Sequence, residues 1–292
     1  MNGWGVFQGN APHFFVTRPM LKIKDIYNWL DGLAPFRYAQ SWDQCGLQVG
    51  DPEALVERLL VALDPSSAVL AEAEERKCQC LVTHHPLIFR PLKAVRLDEF
   101  PGRLVARALS SGIHLIAAHT NLDAAKQGTN DRLSELLSLK NVEPLEFEDA
   151  WSQQDRYGGM GRTGVLPKAM RLGDVITLCE RVLDAKGVRI VGSPDRRILS
   201  VALCTGSGGG MLEQAIDSGV DVFITGDVKY HEAQRALEAG LALVDVGHFA
   251  SERLIVEPLM NYLKGRVQDT GAPLVVLTAE CERDPFLSHD RI

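Results

Sequence analysis

The feature that most constrains the fold is an alternation of short, continuously apolar runs with longer amphipathic segments. In the first half of the chain, apolar runs at 59–63, 80–82 and 113–117 alternate with helical patterns at 66–76 and 103–111. A continuous run of about five apolar residues is typical of a strand that is buried on both faces. Because such strands alternate with helices, the chain is predicted to form an α/β fold with a largely parallel sheet covered by helices.

The same alternation divides the chain into two lobes with a different segment between them. Residues 20–140 are predicted to form the first α/β lobe, and residues 196–292 the second, where strands and helices resume. Residues 141–195 are predicted to connect the lobes, because their first part is polar and aromatic with little periodicity. Residues 1–19 precede the first regular amphipathic pattern and are predicted to be a loosely held extension.

Composition argues against several classes of function. The formal net charge of −7 disfavours a broad nucleic-acid or membrane-surface footprint. No apolar run approaches the roughly 18 residues of a membrane helix, and the first residues do not resemble a signal peptide. The chain contains no CxxC pair, so we expect a cytoplasmic protein with reduced thiols at positions 45, 78, 80, 179, 204 and 281.

Histidines and carboxylates follow apolar strands in both lobes. In the first lobe, one strand leads to a His-His pair at 84–85, and a later strand leads to a His-x3-Asp motif at 119–123. In the second lobe, one strand leads to Gly-Asp at 226–227, and the next leads to a His-x3-Glu motif at 248–252. This echo favours an internal duplication, with two half-sites that face each other at the carboxyl ends of strands.

Five of these side chains form the predicted metal-ligand set, namely His84, His85, Asp123, His248 and Glu252. Each motif alone has a structural alternative: a core histidine beside a surface histidine, a helix-capping aspartate, or a surface His–Glu pair. Together, imidazole and carboxylate groups at three strand ends suit zinc, manganese or iron. Two ions about 3.5–4 Å apart need a bridging group. We predict Asp123 as the bridge, and His119 as a sixth ligand or as the partner of a ligand.

A further group of residues offers an anion site and proton carriers. The glycine-rich turn at 206–210 follows a strand and precedes a helix, so its N–H groups are candidates to bind a phosphate. Lys229 is a candidate phosphate contact, and His231 and His119 are the candidate catalytic proton carriers. The turn lacks the Walker lysine and the GxGxxG spacing. The alternative for the glycine-rich turn is therefore a plain strand–helix connection without a ligand. The alternative for Lys229 and His231 is that they only cap a helix.

Five motifs occur in order along the chain: SWDQCGLQVGD (41–51), LVTHHPLIF (81–89), AHTNLDAAKQGTND (118–131), TGDVKYHEA (225–233) and GHFASE (247–252). Together they resemble the Nif-three-like dinuclear metal-centre hexameric family, whose members are often called GTP cyclohydrolase 1 type 2 homologues. The resemblance runs from about residue 20 to residue 286 and includes GGMGRTG (158–164) and CERDPF (281–286).

The resemblance implies a fold, an assembly and a cofactor. The family fold is a two-lobed α/β/α sandwich with the metal site between the lobes, and members assemble as toroidal homohexamers with these sites facing an inner cavity. Two divalent ions per subunit are implied, and the family ligands fall on the five predicted residues, none of which departs from the pattern. Some longer members carry an inserted middle domain, for which this chain is too short.

The leading functional hypothesis is a metal-dependent hydrolase that uses a metal-activated water on a nucleotide or phosphorylated small molecule. A cyclohydrolase acting on GTP and a phosphate-ester or amide hydrolase both fit this description. The alternative is a metal-binding regulatory or interaction protein without turnover. Five or six protein groups for two ions predict open coordination positions, which favours the hydrolase. A nucleotide-binding module without metal rests on the glycine-rich turn alone.

Overall fold

The computed structural model describes residues 20–147 and 158–286 of the chain. In this part, the strands form a five-stranded sheet, a six-stranded sheet and a two-stranded ribbon. The strands are β1 (Leu21–Lys22), β2 (Gly46–Val49), β3 (Leu55–Val56), β4 (Arg58–Ala62), β5 (Cys80–Thr83), β6 (His114–Ala117), β7 (Lys140–Glu146), β8 (Met160–Arg171), β9 (Arg189–Val191), β10 (Arg197–Leu203), β11 (Val222–Thr225), β12 (Ala242–Asp245) and β13 (Val275–Thr278).

Helices connect most of these strands. They are α1 (Ile23–Leu33), α2 (Ser67–Glu75), α3 (Gly102–Ser110), α4 (Thr120–Ala124), α5 (Thr129–Leu136), α6 (Leu172–Leu183), α7 (Leu212–Asp217), α8 (Tyr230–Glu238), α9 (His248–Arg253) and α10 (Val256–Thr270). The side chain of Ser66 accepts a hydrogen bond from the Val69 amide and so caps the start of α2. Among the described residues, no helix has the length and apolar character needed to span a bilayer.

The five-stranded sheet has the order β13-β4-β5-β6-β2, and only its β2 edge is antiparallel among these pairs. Both faces are buried: Leu59 and Val61 of β4 pack with residues of α1 and α10, whereas Leu60 and Ala62 pack with residues of α2 and α3. Because successive side chains of a strand point to opposite faces, a continuous apolar run fills both layers. The predicted α/β class is therefore confirmed in this lobe.

The six-stranded sheet has the order β7-β8-β10-β11-β12-β9. Its centre, β10-β11-β12, is parallel, while β7, β8 and β9 pair antiparallel. Val222 and Ile224 pack on one face with residues of α5 and α6, and Phe223 packs on the other with residues of α7 and α8. This lobe is also an α/β/α sandwich. Its outer strands are antiparallel, whereas the apolar runs predict a largely parallel sheet.

Sheet membership also differs from the predicted division of the chain. Strands β7, β8 and β9 lie almost entirely within the predicted connection, 141–195, and they complete the second sheet. Strand β13 falls in the predicted second lobe but pairs with β4 of the first sheet. The long strand β8 mixes buried and exposed residues, so its sequence does not form a continuous apolar run. Residues 1–19 and 148–157 of the predicted segments lie outside the described residues.

The two sheets present equivalent loops at the carboxyl ends of their parallel strands. In the first sheet, Thr83 at the end of β5 pairs with Ala117 at the end of β6. In the second, Thr225 at the end of β11 pairs with Asp245 at the end of β12. A short helix then follows β6 and β12, and these helices carry the two His-x3-carboxylate motifs. This correspondence supports the internal duplication that the sequence echo predicts.

Candidate metal centre

His84 is completely buried just beyond the end of β5. Its Nδ1 atom donates a hydrogen bond to the Ala118 carbonyl at 2.8 Å, which aims Nε2 into the space between the lobes. Among the described residues, Nε2 has no hydrogen-bond partner, and it lies 3.6 Å from Asp123 Oδ1 and 3.7 Å from Glu252 Oε1. Because buried polar atoms are nearly always satisfied, a nitrogen aimed at two carboxylates without a hydrogen bond fits a ligand of a shared cation.

His85 converges on the same place. Its Nδ1 atom lies 2.7 Å from Asp64 Oδ1, and its Nε2 atom lies 2.8 Å from Glu252 Oε2. The Thr83 hydroxyl donates to the His85 carbonyl at 2.7 Å, so the chain turns immediately after β5. This turn lets two adjacent histidines face one site, which excludes the alternative of one core histidine beside one surface histidine.

His248 and Glu252 enter from the second lobe on α9. His248 Nδ1 lies 2.7 Å from Asp227 Oδ2, and its Nε2 lies 2.9 Å from Glu252 Oε2 and 3.2 Å from His85 Nε2. Glu252 is buried, so the His–Glu motif is not the surface pair that its spacing alone allows. The four-residue spacing places both side chains on one face of the short helix.

Asp123 is buried on α4 and is fixed from the second lobe as well as the first. Its Oδ1 atom accepts a hydrogen bond from the Thr129 hydroxyl at 2.5 Å, and that hydroxyl lies 2.9 Å from the Thr205 hydroxyl. Its backbone carbonyl accepts from the Asn130 side-chain amide at 3.0 Å. The carboxylate is therefore held by side chains and does not cap a helix.

The described residues contain three groups of side chains whose ligand atoms all lie within 4.8 Å of one another. They are His84 with His85 and His119, His85 with His248 and Glu252, and His84 with Asp123 and Glu252. All five predicted ligands fall in these groups. Glu252 belongs to two groups and Asp123 to one, because the two Glu252 oxygens face different histidines. This geometry favours Glu252 as the shared carboxylate, whereas our sequence-based choice of bridge is Asp123.

The electrostatics of the cluster reflect two buried carboxylates, Glu252 and Asp123, beside three imidazoles. Burial opposes the charged form of Glu252, yet the surrounding histidines hold its pKa well below the usual range. Burial also opposes protonation of the histidines, but hydrogen bonds and charges of the carboxylates raise the pKa of His85 to about 10 and of His248 to about 9. The pKa of Asp123 is raised by burial and by Glu252. The cluster therefore attracts positive charge, which protons or metal ions supply.

The donor set fits divalent ions of the zinc, manganese and iron type. It offers imidazole nitrogens and carboxylate oxygens at one buried place, and these are the ligands that such ions prefer. The Nδ1 atoms of His85 and His248 each face an aspartate, and that of His84 faces a carbonyl. In metalloproteins, such partners fix the imidazole ring so that its other nitrogen is free to bind an ion.

His119 also lies at this centre. Its Nδ1 atom lies 3.0 Å from Asp43 Oδ2, and its ring centroid lies 5.2 Å from that of His84 and 5.5 Å from that of His85. The Asp43 carboxylate is fully buried and also accepts the Thr120 hydroxyl at 2.6 Å. The structure thus brings His119 beside the predicted ligands, in agreement with its expected position.

The sequence analysis missed two carboxylates, Asp43 and Asp64. Asp64 lies two residues beyond the end of β4 and is therefore subject to the same strand-end rule that identified the histidines. Asp43 lies in the SWDQCG motif but follows no predicted strand, so pattern alone gives no reason to single it out.

His231 and Lys229 are placed differently from the cluster. His231 is exposed at the start of α8, with Nδ1 3.2 Å from Gln234 Oε1, and it belongs to none of the three groups in the described residues. Lys229 is exposed and lies 3.8 Å from Glu232. The predicted roles of both residues stay predictions, and His119 is the candidate proton carrier that adjoins the ligands.

The glycine-rich turn packs directly against the centre. The Gly206 amide donates to the Ser251 hydroxyl at 2.9 Å, and the Gly208 amide donates to the Thr225 hydroxyl at 3.0 Å. These N–H groups are therefore already used within the protein. Gly206 has a φ of +68° and lies against Glu252, where any side chain would collide. The turn therefore packs closely around Glu252, one of the predicted metal ligands. These two amides give no support to the predicted phosphate site.

Comparison with known proteins gives a consistent picture. A sequence model of the DUF34/NIF3 (NGG1p interacting factor 3) family matches residues 21–285. The GTP cyclohydrolase 1 type 2 homolog of Clostridium acetobutylicum is 33% identical over 269 residues, which cover 91% of this chain and 98% of that protein. The Streptomyces coelicolor protein of the same name is 34% identical over 92% of this chain and 95% of its own length.

Solved structures show the same fold. Staphylococcus aureus protein SA1388 has a TM-score of 0.85 at 29% identity, covering 92% of this chain and all of that chain. Reduced HcgD from Methanocaldococcus jannaschii has a TM-score of 0.75 at 28% identity, covering 90% and 99% of the two chains. The family match spans nearly all of the described residues and includes the whole metal-ligand cluster. The chain therefore belongs to the DUF34/NIF3 (NGG1p interacting factor 3) family.

Proposed function

We propose that the cluster binds two divalent metal ions and that the protein is a metal-dependent hydrolase of a nucleotide or phosphorylated small molecule. The observation that carries the proposal is the buried His84 Nε2 atom, which faces two carboxylates without a hydrogen-bond partner in the described residues. A cation between these groups would satisfy all three at once, whereas burial of the unpaired groups is costly.

The grouping of the side chains supports a division of ligands between two ions. His84 and Asp123 would serve one ion, His85 and His248 the other, and Glu252 would contact both. Each ion would then have about three protein ligands, which is the number typical of catalytic sites with an open position. A closed structural site would need more protein groups than these.

The chemistry follows from this arrangement. When bound, the ions would polarise a substrate and lower the pKa of a coordinated water towards neutrality. Asp64 and Asp227 would hold the rings of His85 and His248 in the orientation that ligation requires. His119, oriented by Asp43, would carry a proton between the substrate and solvent.

Several finer properties are part of the same proposal. The relatives named GTP cyclohydrolase 1 type 2 homolog make GTP a first substrate to try. The family resemblance suggests a homohexamer, which sedimentation velocity tests. A cytoplasmic location agrees with the bacterial sources of these relatives, and cell fractionation tests it.

Turnover screening tests the function. The purified full chain, loaded with zinc, manganese or iron, is assayed against GTP, other nucleotides and simple phosphoesters. Wild-type protein is expected to release product from at least one of them, and Asp123→Asn should lose most of that activity. The matched control is Asp269→Asn, because this aspartate is exposed on α10. Metal binding without turnover of any substrate would instead support a regulatory or interaction protein, and full activity in Asp123→Asn would contradict our assignment of Asp123.

A further inference from the structure

Two exposed aromatic side chains stand beside the metal centre. Trp42 is 52% exposed and Phe89 is 47% exposed, although both are large apolar residues. Their ring centroids lie 5.6 Å apart with an interplanar angle of 54°. Each also meets the edge or face of His119, at 6.1 Å from Trp42 and 6.3 Å from Phe89. His119 thus contacts both aromatic rings and also lies beside His84 and His85.

Trp42 is held on a rigid loop. The next residue, Asp43, has a fully buried carboxylate that accepts hydrogen bonds from the Thr120 hydroxyl and from the Gln44 amide, and it also contacts His119. Burial opposes the charged form of Asp43, but these contacts hold its pKa below the usual range. Trp42 therefore lies at the surface next to Asp43, whose side chain is held by several hydrogen bonds.

Phe89 is held in a similar way from the first sheet. The side-chain amide of Gln48 on β2 makes two hydrogen bonds with the backbone of Ile88, the residue before Phe89. The Ile88 amide donates to Gln48 Oε1 at 2.9 Å, and Gln48 Nε2 donates to the Ile88 carbonyl at 3.3 Å. Hydrogen bonds therefore hold the residue next to each aromatic side chain, and the two rings contact each other. A preorganised site loses less conformational entropy on binding than a flexible one.

The exposure of this aromatic pair favours binding of another flat ring. Burial of apolar surface contributes about 25 cal/mol per Å² to binding. Covering the half-exposed Trp42 and Phe89 with a ligand would therefore be favourable. Aromatic side chains stack on planar heteroaromatic rings whatever the identity of the base. The neighbouring metal centre is polar, so the pair adds the apolar part of a composite site, as in many small-molecule pockets.

We propose that Trp42 and Phe89 bind a planar heteroaromatic ring of the nucleobase type, and that this contact selects ring-bearing substrates. The proposal rests on the proposed hydrolase function and specifies its substrate class. A ring on this pair lies next to His119, so a phosphate or scissile bond attached to it extends towards His84 and His85. Trp42 and Phe89 are thus specificity-determining residues that act on binding.

Calorimetric titration of the full chain tests the proposal separately from turnover. The probes are guanosine monophosphate, cytidine monophosphate and ribose 5-phosphate, which carries the phosphate without a ring. Each is titrated into metal-loaded and metal-free protein, for wild type, Trp42→Ala, Phe89→Ala and the conservative Trp42→Phe. The matched control is Phe286→Ala, because Phe286 is also an exposed phenylalanine. Metal content and sedimentation velocity show whether each variant is folded and assembled as the wild type.

Both nucleotides are expected to bind tighter than ribose 5-phosphate. Trp42→Ala should raise their Kd roughly 5- to 150-fold, the loss that corresponds to stacking of one base at about 1–3 kcal/mol. Trp42→Phe should restore much of the affinity, and Kd for ribose 5-phosphate should not change. Nucleotide binding through Trp42 without turnover of any substrate would refute the hydrolase but keep the ring site. Equal Kd values in wild type and both alanine variants would overturn the ring site. It would also be overturned if Trp42→Ala dissociates the assembly but still binds nucleotide, because Trp42 would then serve a contact between subunits.

Discussion

Gly206 lies so close to Glu252 that a Cβ atom at residue 206 would stand 1.9 Å from Glu252 Oε1. The glycine also has a φ of +68°, a conformation that L-residues with side chains rarely adopt. Glu252 contacts His84, His85 and His248, so the absence of a side chain at residue 206 leaves room for the central carboxylate of the site. A glycine-rich turn that could be mistaken for a phosphate-binding loop thus has a steric role beside the candidate metal centre.

Gly206→Ala should therefore displace Glu252 and lower metal retention. The expected loss is most of the bound metal, together with a fall in unfolding free energy of about 1 kcal/mol or more from the strained backbone. Elemental analysis and denaturant unfolding measure the two effects. The matched control is Gly210→Ala in the same turn, where a Cβ would meet no atom within 4 Å. Equal metal content in the two variants would show that Glu252 does not need this space.

Removal of a carboxylate that orients a histidine should weaken metal binding without removing a ligand. Asp64→Ala takes away the group 2.7 Å from His85 Nδ1, and partners of this kind contribute roughly 10- to 100-fold to metal affinity. Competition with a chromogenic chelator measures the change in Kd. Asp98→Ala is the control, since Asp98 is exposed and pairs with the exposed Arg96. An unchanged Kd in Asp64→Ala would indicate that the His85 ring is positioned by packing alone.

Glu282 should stabilise the loop that carries Asp64. Its buried carboxylate accepts hydrogen bonds from the Leu63 amide at 2.9 Å and from the Asp64 amide at 2.8 Å. Glu282→Ala leaves these donors unsatisfied, so the free energy of unfolding should fall by about 1–3 kcal/mol. Glu282→Gln, which keeps an acceptor oxygen, should lose less.

Glu280→Ala serves as the comparison for Glu282→Ala. The Glu280 side chain is 82% exposed and lies 3.7 Å from Arg76, so its loss should change the unfolding free energy by less than about 1 kcal/mol. Chemical denaturation of the three variants tests this order. Equal effects at residues 280 and 282 would contradict the role assigned to the buried carboxylate.

The stability of the metal-free protein should depend on pH above neutrality. The pKa of His85 is raised to about 10 and that of His248 to about 9, from an ordinary value of 6.5. Because folding raises these pKa values, their stabilisation is fully present below about pH 6.5 and is lost as pH rises through 9 to 10. The unfolding free energy of the metal-free protein should therefore fall between pH 7 and pH 10.

Metal loading should remove much of this pH dependence, because the ions replace the protons at the same nitrogens. Urea unfolding at several pH values, with metal and with chelator, measures both slopes. Glu252→Gln provides a second check, since Glu252 is among the carboxylates that raise both pKa values. Identical slopes with and without metal would mean that the histidines do not titrate as the metal-free cluster implies.

The side chains of the candidate metal site could be predicted to lie together because the fold places strand ends together. Once apolar runs and helical patterns establish parallel strands, polar residues that follow those strands must lie at one edge of a sheet. Asp64 obeys the same strand-end rule, and the strand order shows why it meets His85. Strand β4 lies beside β5 with Ala62 opposite Thr83, and Asp64 and His85 each follow those residues by two positions.

Other features depend on contacts that the sequence pattern does not contain. Strand β8 alternates between buried and half-exposed residues, so it resembles a connection until its partners β7 and β10 are known. The shared position of Glu252 between the two sides of the cluster follows from its two oxygens facing different histidines. Neither fact has a signature in spacing or composition. The predicted lobe boundary therefore does not follow sheet membership, and Asp123 as the bridging ligand stays a prediction.

Metal stoichiometry is the most direct test of the central claim that this cluster is a dinuclear centre. The full chain is loaded with zinc or manganese, freed of excess metal by gel filtration, and analysed by inductively coupled plasma mass spectrometry. Wild-type protein should retain two ions per chain, and Glu252→Gln should retain fewer than one, because Glu252 contacts both sides of the cluster. The control Glu238→Gln, at an exposed position on α8, should match the wild type. Wild-type protein without bound metal, or Glu252→Gln with two ions, would contradict the claim.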